Sequence, residues 1–274
     1  MTMLPQSWLF VPGSRPDRFA KAANSGAGAV ILDLEDAVAE ADKETARDHV
    51  LQGLVALVGE SALRAVRINP LTRAVGLLDL AAIAGSATSP DFVVIPKVEH
   101  PEQVRLAAAV LSEAKGLVGL IALIESAAGL ARVAEIGLAD PALRGLMFGA
   151  ADYAADMGQT VGAFDDRIAR SLVANGAALG GVIAIDSPWF DMDDLTGLEA
   201  GCVQARQMGF SAKAAIHPKH LQAIHAHFGW SDEERERAGR ILTAAPDGVG
   251  VLDGRMVDRA MVRWAQRVAR QFEA

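Results

Sequence analysis

The chain has 274 residues, with 34 acidic against 26 basic side chains, a formal net charge of −8, and 51% apolar but only 5% aromatic content. An acidic balance with no basic run argues against a nucleic-acid partner or an anionic membrane surface, because both select an excess of positive charge on one face. A single cysteine, Cys202, excludes an internal disulfide and a cysteine-based metal cluster.

No stretch reaches the ~18 apolar residues of a membrane-spanning helix. Met1-Thr2-Met3-Leu4-Pro5 lacks the charged and apolar regions of a secretory leader. The expectation is therefore a cytoplasmic protein, long enough for an α/β barrel of typically ~250 residues.

Trp8-Leu9-Phe10-Val11 is a short apolar run closed by Pro12-Gly13-Ser14-Arg15, a strand and a turn, and Pro16-Asp17-Arg18 opens a helix to about Asn24. Ala29-Val30-Ile31-Leu32 makes a second strand that runs into Asp33-Leu34-Glu35-Asp36. A helix with apolar positions near Val50, Leu54 and Leu57 follows, and then Ala65-Val66-Arg67-Ile68-Asn69-Pro70, a third strand carrying an arginine. Phe92-Val93-Val94-Ile95-Pro96-Lys97 is the fourth, with a helix beginning after Pro101.

The fifth and sixth strands organise the chain. Gly119 to Ile124 is apolar throughout and ends in Glu125-Ser126; Gly145 to Ala151 repeats the pattern and ends in Asp152. Runs that are apolar at every residue are what strands buried on both faces look like. Gly181 to Asp186 is the seventh strand and Lys213 to Pro218 the eighth, each preceded by a helical pattern (Ile168 to Leu179, Leu195 to Met208). Strands alternating with helices in this number predict an α/β fold of the (β/α)8 barrel type over residues 1–230. Residues 231–274 are a mostly helical extension broken at Pro246-Asp247-Gly248, with a short extended piece from Gly248 to Asp253 before a last helix.

Barrels place their chemistry at the C-terminal ends of the strands. Glu125 and Asp152, with Gly149 and Ala150 keeping the neighbourhood small, read as a Mg²⁺ or Mn²⁺ site that leaves positions open for water and substrate. They read equally as acids capping the helices that follow. Arg67, inside an apolar strand, is costly unless its guanidinium reaches an anion, either a substrate carboxylate or enolate oxygen or a structural partner such as Glu35 or Asp36. Arg15 and Lys97, taken to end neighbouring strands, add two cations to the mouth; Arg18 and Lys21 are phosphate contacts or solvated surface. Asp33, Glu35 and Asp36 anchor metal-bound water, act as a base, or cap a helix.

His217 with His220, or His225 with His227, have spacings a zinc site uses, but no third ligand stands in register and surface or loop positions are expected. There is no G-x-G-x-x-G after a strand, no P-loop and no G-x-S-x-G, so nicotinamide, P-loop nucleotide and serine-hydrolase chemistry fall away.

The ordered set Leu9 to Ser14, Asp33-Leu34-Glu35-Asp36-Ala37-Val38, Arg67-Ile68-Asn69, Pro96-Lys97-Val98-Glu99, Ile124-Glu125-Ser126-Ala127, Phe148 to Asp152, Ile216-His217-Pro218 and Gly254-Arg255-Met256-Val257-Asp258 resembles the citrate lyase beta-subunit-like family of the pyruvate- and phosphoenolpyruvate-utilising barrels. The resemblance implies Mg²⁺ on Glu125 and Asp152, a substrate carboxylate or acyl oxygen on Arg67, and a homo-oligomer, trimeric or hexameric. It further implies that the C-terminal extension is a lid that carries Asp258 to a neighbouring subunit.

Family members make or break the carbon–carbon bond of a β-hydroxyacyl thioester held on coenzyme A or an acyl carrier. The expected activity is thus a Mg²⁺-dependent lyase of malyl-, citramalyl- or citryl-CoA, with Asp258 as base and Asp36 as the alternative, and Arg15 and Lys97 among the substrate contacts. A beta subunit working with citrate lyase alpha and acyl-carrier subunits is the rival, and a non-catalytic acyl-CoA-binding protein the third reading. Two departures from the family pattern are Ala151, where Glu is common, and Ser211-Ala212 in place of Asp-Gly before Lys213. Glu35-Asp36 stands where class II aldolases of the superfamily carry a histidine base, which argues against free pyruvate aldolase chemistry.

Overall fold

The structure, a computed structural model, describes residues 4–269. The first three residues, read above for a leader, and residues 270–274 of the expected extension lie outside the described residues. The chain divides into two compact units, one over Pro5–Phe228 and one from Gly229 to the end of the described residues together with Leu4. No helix among the described residues is long and apolar enough to cross a membrane.

In the first unit eight strands form a closed parallel barrel in chain order: β1 Ser7–Pro12, β2 Ala29–Asp33, β3 Leu63–Arg67, β4 Phe92–Ile95, β5 Gly119–Ile124, β6 Leu143–Phe148, β7 Ile183–Asp186 and β8 Ala212–Ala215, with β8 returning to β1. Every residue of β2 and of β4 is buried, as the unbroken apolar runs require of strands covered on both faces. Trp8 on β1 meets Phe92 on β4 edge to face at 5.1 Å. Because β1 and β4 are not neighbours, that contact crosses the interior. The barrel is therefore a packed core closed near its N-terminal end.

Helices Lys43–Ala56, Ala74–Ala84, Pro101–Leu111, Arg167–Gly180 and Leu195–Gln207 supply the long crossovers. Ala74–Ala84 is absent from the sequence reading because it is apolar on both sides: Leu80 and Ile83 are buried while Leu77 and Leu78 are exposed, which erases the helical period.

Several strand boundaries move: the fourth strand ends at Ile95 rather than Lys97, and the sixth spans Leu143–Phe148. The third strand stops at Arg67 rather than Pro70, since Asn69 leaves the sheet to bind buried Asp79 through its Nδ2 at 2.7 Å. The seventh starts at Ile183, because Gly181 is the left-handed cap (φ 67°) of the preceding helix. The eighth ends at Ala215, before the turn opened by His217.

Lateral register positions the site. Asp33 at the end of β2 is the direct partner of Arg67 at the end of β3, and Ile124 on β5 that of Phe148 on β6. The first pairing sets an acid beside an arginine; the second sets Glu125 beside Gly149.

The second unit has its own small core of Ala238, Ile241, Val257, Val262, Ala265 and Val268. Helix Asp232–Ala244 begins with a reciprocal capping box of Ser231 and Glu234. The single extended piece expected over Gly248 to Asp253 is instead half of a hairpin, β9 Gly250–Leu252 against β10 Arg255–Val257, and helix Arg259–Ala269 follows. Asp253 and Gly254 turn it with φ of 52° and 72°. Asp-Gly is the sequence signal for such a turn.

Candidate active site at the C-terminal mouth of the barrel

A cavity of about 400 Å³ opens among the strand ends, with Asp33, Asp36, Arg67, Glu125 and Asp152 on its wall and Phe10, Met147 and Ile216 giving it an apolar side. Each polar group arrives by a short route from a strand. Glu125 directly follows β5, Lys97 is two residues past β4, and Asp152 sits in the first turn of the short helix Ala150–Asp156 after β6. Ser187, just past β7, secures that helix: its Oγ donates to the Phe148 carbonyl at 2.8 Å and accepts from the Ala150 N–H at 3.0 Å.

Arg67 is fixed. Nε and Nη2 donate to the two Asp33 oxygens at 2.6 and 2.7 Å, and Nη1 lies 3.0 Å from Glu35 and 3.5 Å from Asp36. The guanidinium also stands 4.9 Å from the centroid of the Phe10 ring. A planar fork met by two oxygens is the strongest geometry for such a pair, and the acids around it hold the guanidinium pKa above its usual value against the cost of burial. Both proposed structural partners of Arg67, Glu35 and Asp36, are in place, but the principal one is Asp33. Sequence reasoning placed Asp33 among the candidate acids without pairing it to Arg67, although the adjacent strand ends were the signal.

Glu125 is 3% exposed, and Oε1 accepts the Lys97 backbone N–H at 2.8 Å. Burial, then the neighbouring Glu35 and Asp152, push its carboxyl up to about 8. Gly149 makes the space: a Cβ there would fall 2.6 Å from Glu125 Oε2. The Lys97 side chain reaches across these acids, with Nζ 3.0 Å from Glu35, 3.1 Å from Asp152 and 3.9 Å from Glu125. Five carboxylates, Asp33, Glu35, Asp36, Glu125 and Asp152, thus meet two cations, Arg67 and Lys97.

The remaining expectations fare differently. Arg15 and Lys97 do not end neighbouring strands, since β1 borders β2 and β8 while β4 borders β3 and β5. Arg15 is exposed, its guanidinium is taken by Asp17 two residues on at 2.7 Å, and it does not line the cavity. Arg18 and Lys21 are likewise exposed. Asp36 faces the cavity with its side chain 57% exposed. Asp258 belongs to the second unit, where its carboxylate caps helix Arg259–Ala269 by accepting the Met261 N–H at 2.9 Å.

The histidines do not converge on a metal. His225 Nε2 bonds Ser7 Oγ at 2.8 Å, at the start of β1, and His217 accepts the Lys219 N–H at 3.1 Å. His220, expected at the surface, is fully buried because the Pro218–His220 turn folds it inward.

The sequence reading also passed over a second charged group, Arg170 with Asp186 and Lys213. Asp186 and Lys213 are register partners on β7 and β8, and their side chains are 2% and 3% exposed. A lysine in an apolar strand was the same signal that singled out Arg67.

Among the described residues no cluster of three or more acidic, histidine or cysteine side chains forms a ready metal cage. Two carboxylates suffice for a hard ion that keeps most of its ligands as water. The stand-in is the Lys97 ammonium: Glu125 and Asp152 both turn to one cationic point within 4 Å, and Gly149 leaves room for it. The donor set therefore fits a divalent cation.

The HpcH/HpaI aldolase/citrate lyase model matches residues 6–218, and a model described as a C-C bond lyase of the TIM-barrel fold matches residues 166–274. The chain is 36% identical over 274 residues to a citrate lyase subunit beta-like protein of Mycobacterium tuberculosis, covering 96% of this chain and 94% of that one. It is 34% identical over 299 residues to an L-malyl-CoA/beta-methylmalyl-CoA lyase of Cereibacter sphaeroides, covering 97% and 93%. Among solved structures, CitE of Mycobacterium tuberculosis in complex with magnesium, acetoacetate and coenzyme A superposes with a TM-score of 0.78 at 33% identity over 100% of both chains.

Proposed function

From its membership of the HpcH/HpaI aldolase/citrate lyase family, we propose that this chain is a magnesium-dependent carbon–carbon lyase that cleaves or forms a β-hydroxyacyl thioester of coenzyme A, of the malyl-, citramalyl- or citryl-CoA kind. The observation that carries the reading is the convergence of Glu125 and Asp152, both on the wall of the cavity that Arg67 also lines, on one cationic point beside it.

Retro-aldol cleavage needs a base for the hydroxyl proton and positive charge where the breaking bond leaves its electrons. Magnesium held by Glu125 and Asp152 would polarise the reacting oxygens as a Lewis acid. Arg67 is a pre-set positive charge on the wall of the same cavity, locked by Asp33 so that it need not reorganise in the chemical step. Phe10, Met147 and Ile216 give the cavity an apolar side that limits water. Asp258, delivered by a neighbouring copy in a homotrimer or hexamer, would take the hydroxyl proton. Support for that route is the family resemblance of the C-terminal segment and the exposure of Asp258 in its own unit. Asp36, a carboxylate on the cavity wall, is the alternative base.

The test is a coupled assay of the purified chain with Mg²⁺ against malyl-, citramalyl- and citryl-CoA, following the released oxo acid and acyl-CoA. Turnover abolished by EDTA is expected. Absence of cleavage of all three by the chain alone, with cleavage restored by alpha and acyl-carrier subunits, would move the assignment to a citrate lyase beta subunit. Coenzyme A binding without any turnover would make the protein a thioester-binding one.

A further inference from the structure

We propose that Lys97 is a built-in counter-ion that holds the place of the divalent cation in the metal-free protein and swings into the cavity when the metal binds; the inference rests on the metal reading above. Its ammonium lies 3.1 Å from Asp152 and 3.9 Å from Glu125, so a cation taken up by those two carboxylates would stand within a few ångströms of it. Like charges at that separation in a half-buried site repel strongly. One of them must leave, and only the lysine side chain is free to move.

The two cations of the mouth differ in that respect. Arg67 is 9% exposed and gripped bidentately by Asp33. The Lys97 side chain is 39% exposed and ends in single contacts on a four-carbon stem with rotatable bonds.

The Lys97 backbone, by contrast, is pinned. Its N–H donates to Glu125 Oε1 at 2.8 Å, its carbonyl accepts from Gln103 Nε2 at 3.2 Å, and it holds a φ of 51°, a left-handed conformation uncommon outside glycine. The residue is anchored to one metal ligand through its main chain while its side chain neutralises the other. That arrangement keeps the carboxylates turned to a common point before the metal arrives. It also makes metal affinity a competition, and the displaced ammonium enters the cavity as a contact for an anionic group of the substrate.

The experiment titrates Mn²⁺ alone into the metal-free full-length protein, with free Mn²⁺ read by electron paramagnetic resonance, for the wild type, Lys97→Met and Asp152→Asn. Lys97→Met is expected to bind Mn²⁺ at least about tenfold more tightly than wild type, and Asp152→Asn to lose binding. Amine acylation of the wild-type protein, followed by mass spectrometry, adds a readout that needs no substitution: labelling of Lys97 is expected to rise severalfold on saturation with Mg²⁺. Equal or weaker Mn²⁺ binding by Lys97→Met, or unchanged Lys97 labelling in the metal-saturated protein, overturns the displacement and leaves the metal site standing. A wild type that binds no Mn²⁺ overturns both.

Discussion

Two charged groups in the barrel are built by the same device and end up in opposite states. At the mouth, the register pair Asp33 and Arg67 stands among five carboxylates and two cations, beside a cavity. On the β7/β8 side, the register pair Asp186 and Lys213 stands with Arg170 and Asp166 as two acids against two cations, beside a second cavity of about 340 Å³. The second group is balanced: Arg170 reaches Asp186 at 3.1 Å and Gln204 at 2.9 Å and lies against the Phe210 ring. The first carries surplus negative charge, and there burial, then the neighbouring Glu35 and Asp152, raise the Glu125 pKa. A buried ion pair is therefore no sign of function in itself. Charge left uncompensated at a cavity is.

Four experiments break or sharpen that comparison. The largest effect is expected from Asp186→Asn, which leaves Lys213 and Arg170 buried without their shared acid and costs about 3–5 kcal/mol. Denaturant titration should report that loss, with turnover per folded molecule retained. At the mouth the pattern reverses: Arg67→Ala or Asp152→Asn should lower kcat at least ~100-fold, the equivalent of an electrostatic contribution of about 3–4 kcal/mol. Near-wild-type turnover by Arg67→Ala would sink the assignment.

Burial of Glu125 among these acids predicts a pH dependence. Glu125 has a folded-state pKa of about 8 against an ordinary value of 4.5, so between those values the folded metal-free protein binds a proton that the unfolded chain does not. Its stabilising contribution is thus complete below about pH 4.5 and is lost as pH rises through 8. Thermal unfolding of the metal-free protein from pH 5 to 8 should show the decline, and Glu125→Gln should flatten it.

The smallest effect concerns Cys202 on helix Leu195–Gln207. It is fully buried, and burial pushes its thiol up to about 11. Iodoacetamide at neutral pH should leave it unmodified in the native protein and alkylate it once the protein is unfolded.

The β7/β8 group also shows where sequence reasoning stopped. Arg67 was found because one charged residue in an apolar strand demands a partner, and Lys213 made the same demand in a strand whose neighbours are alanines. It was read as part of a strand and no more. Arg15 shows the opposite error: a cation soon after a strand was taken for a mouth residue, yet Asp17, two positions away, occupies it. Local charge pairing was visible in the sequence there and outweighed strand position.

The sequence alone determined the eight strands, because residues buried on both faces must be apolar at every position, and it determined which strand ends carry acids. It also fixed the family, through motifs spread over nearly the whole chain. Only the tertiary structure decided which charges meet. Asp33 pairs with Arg67 because β2 and β3 align at those residues, and Lys97 bridges Glu35, Asp152 and Glu125 because ring closure gathers strand ends that lie far apart in the chain. Electrostatic partnership depends on separation in space, which register and closure set and composition does not.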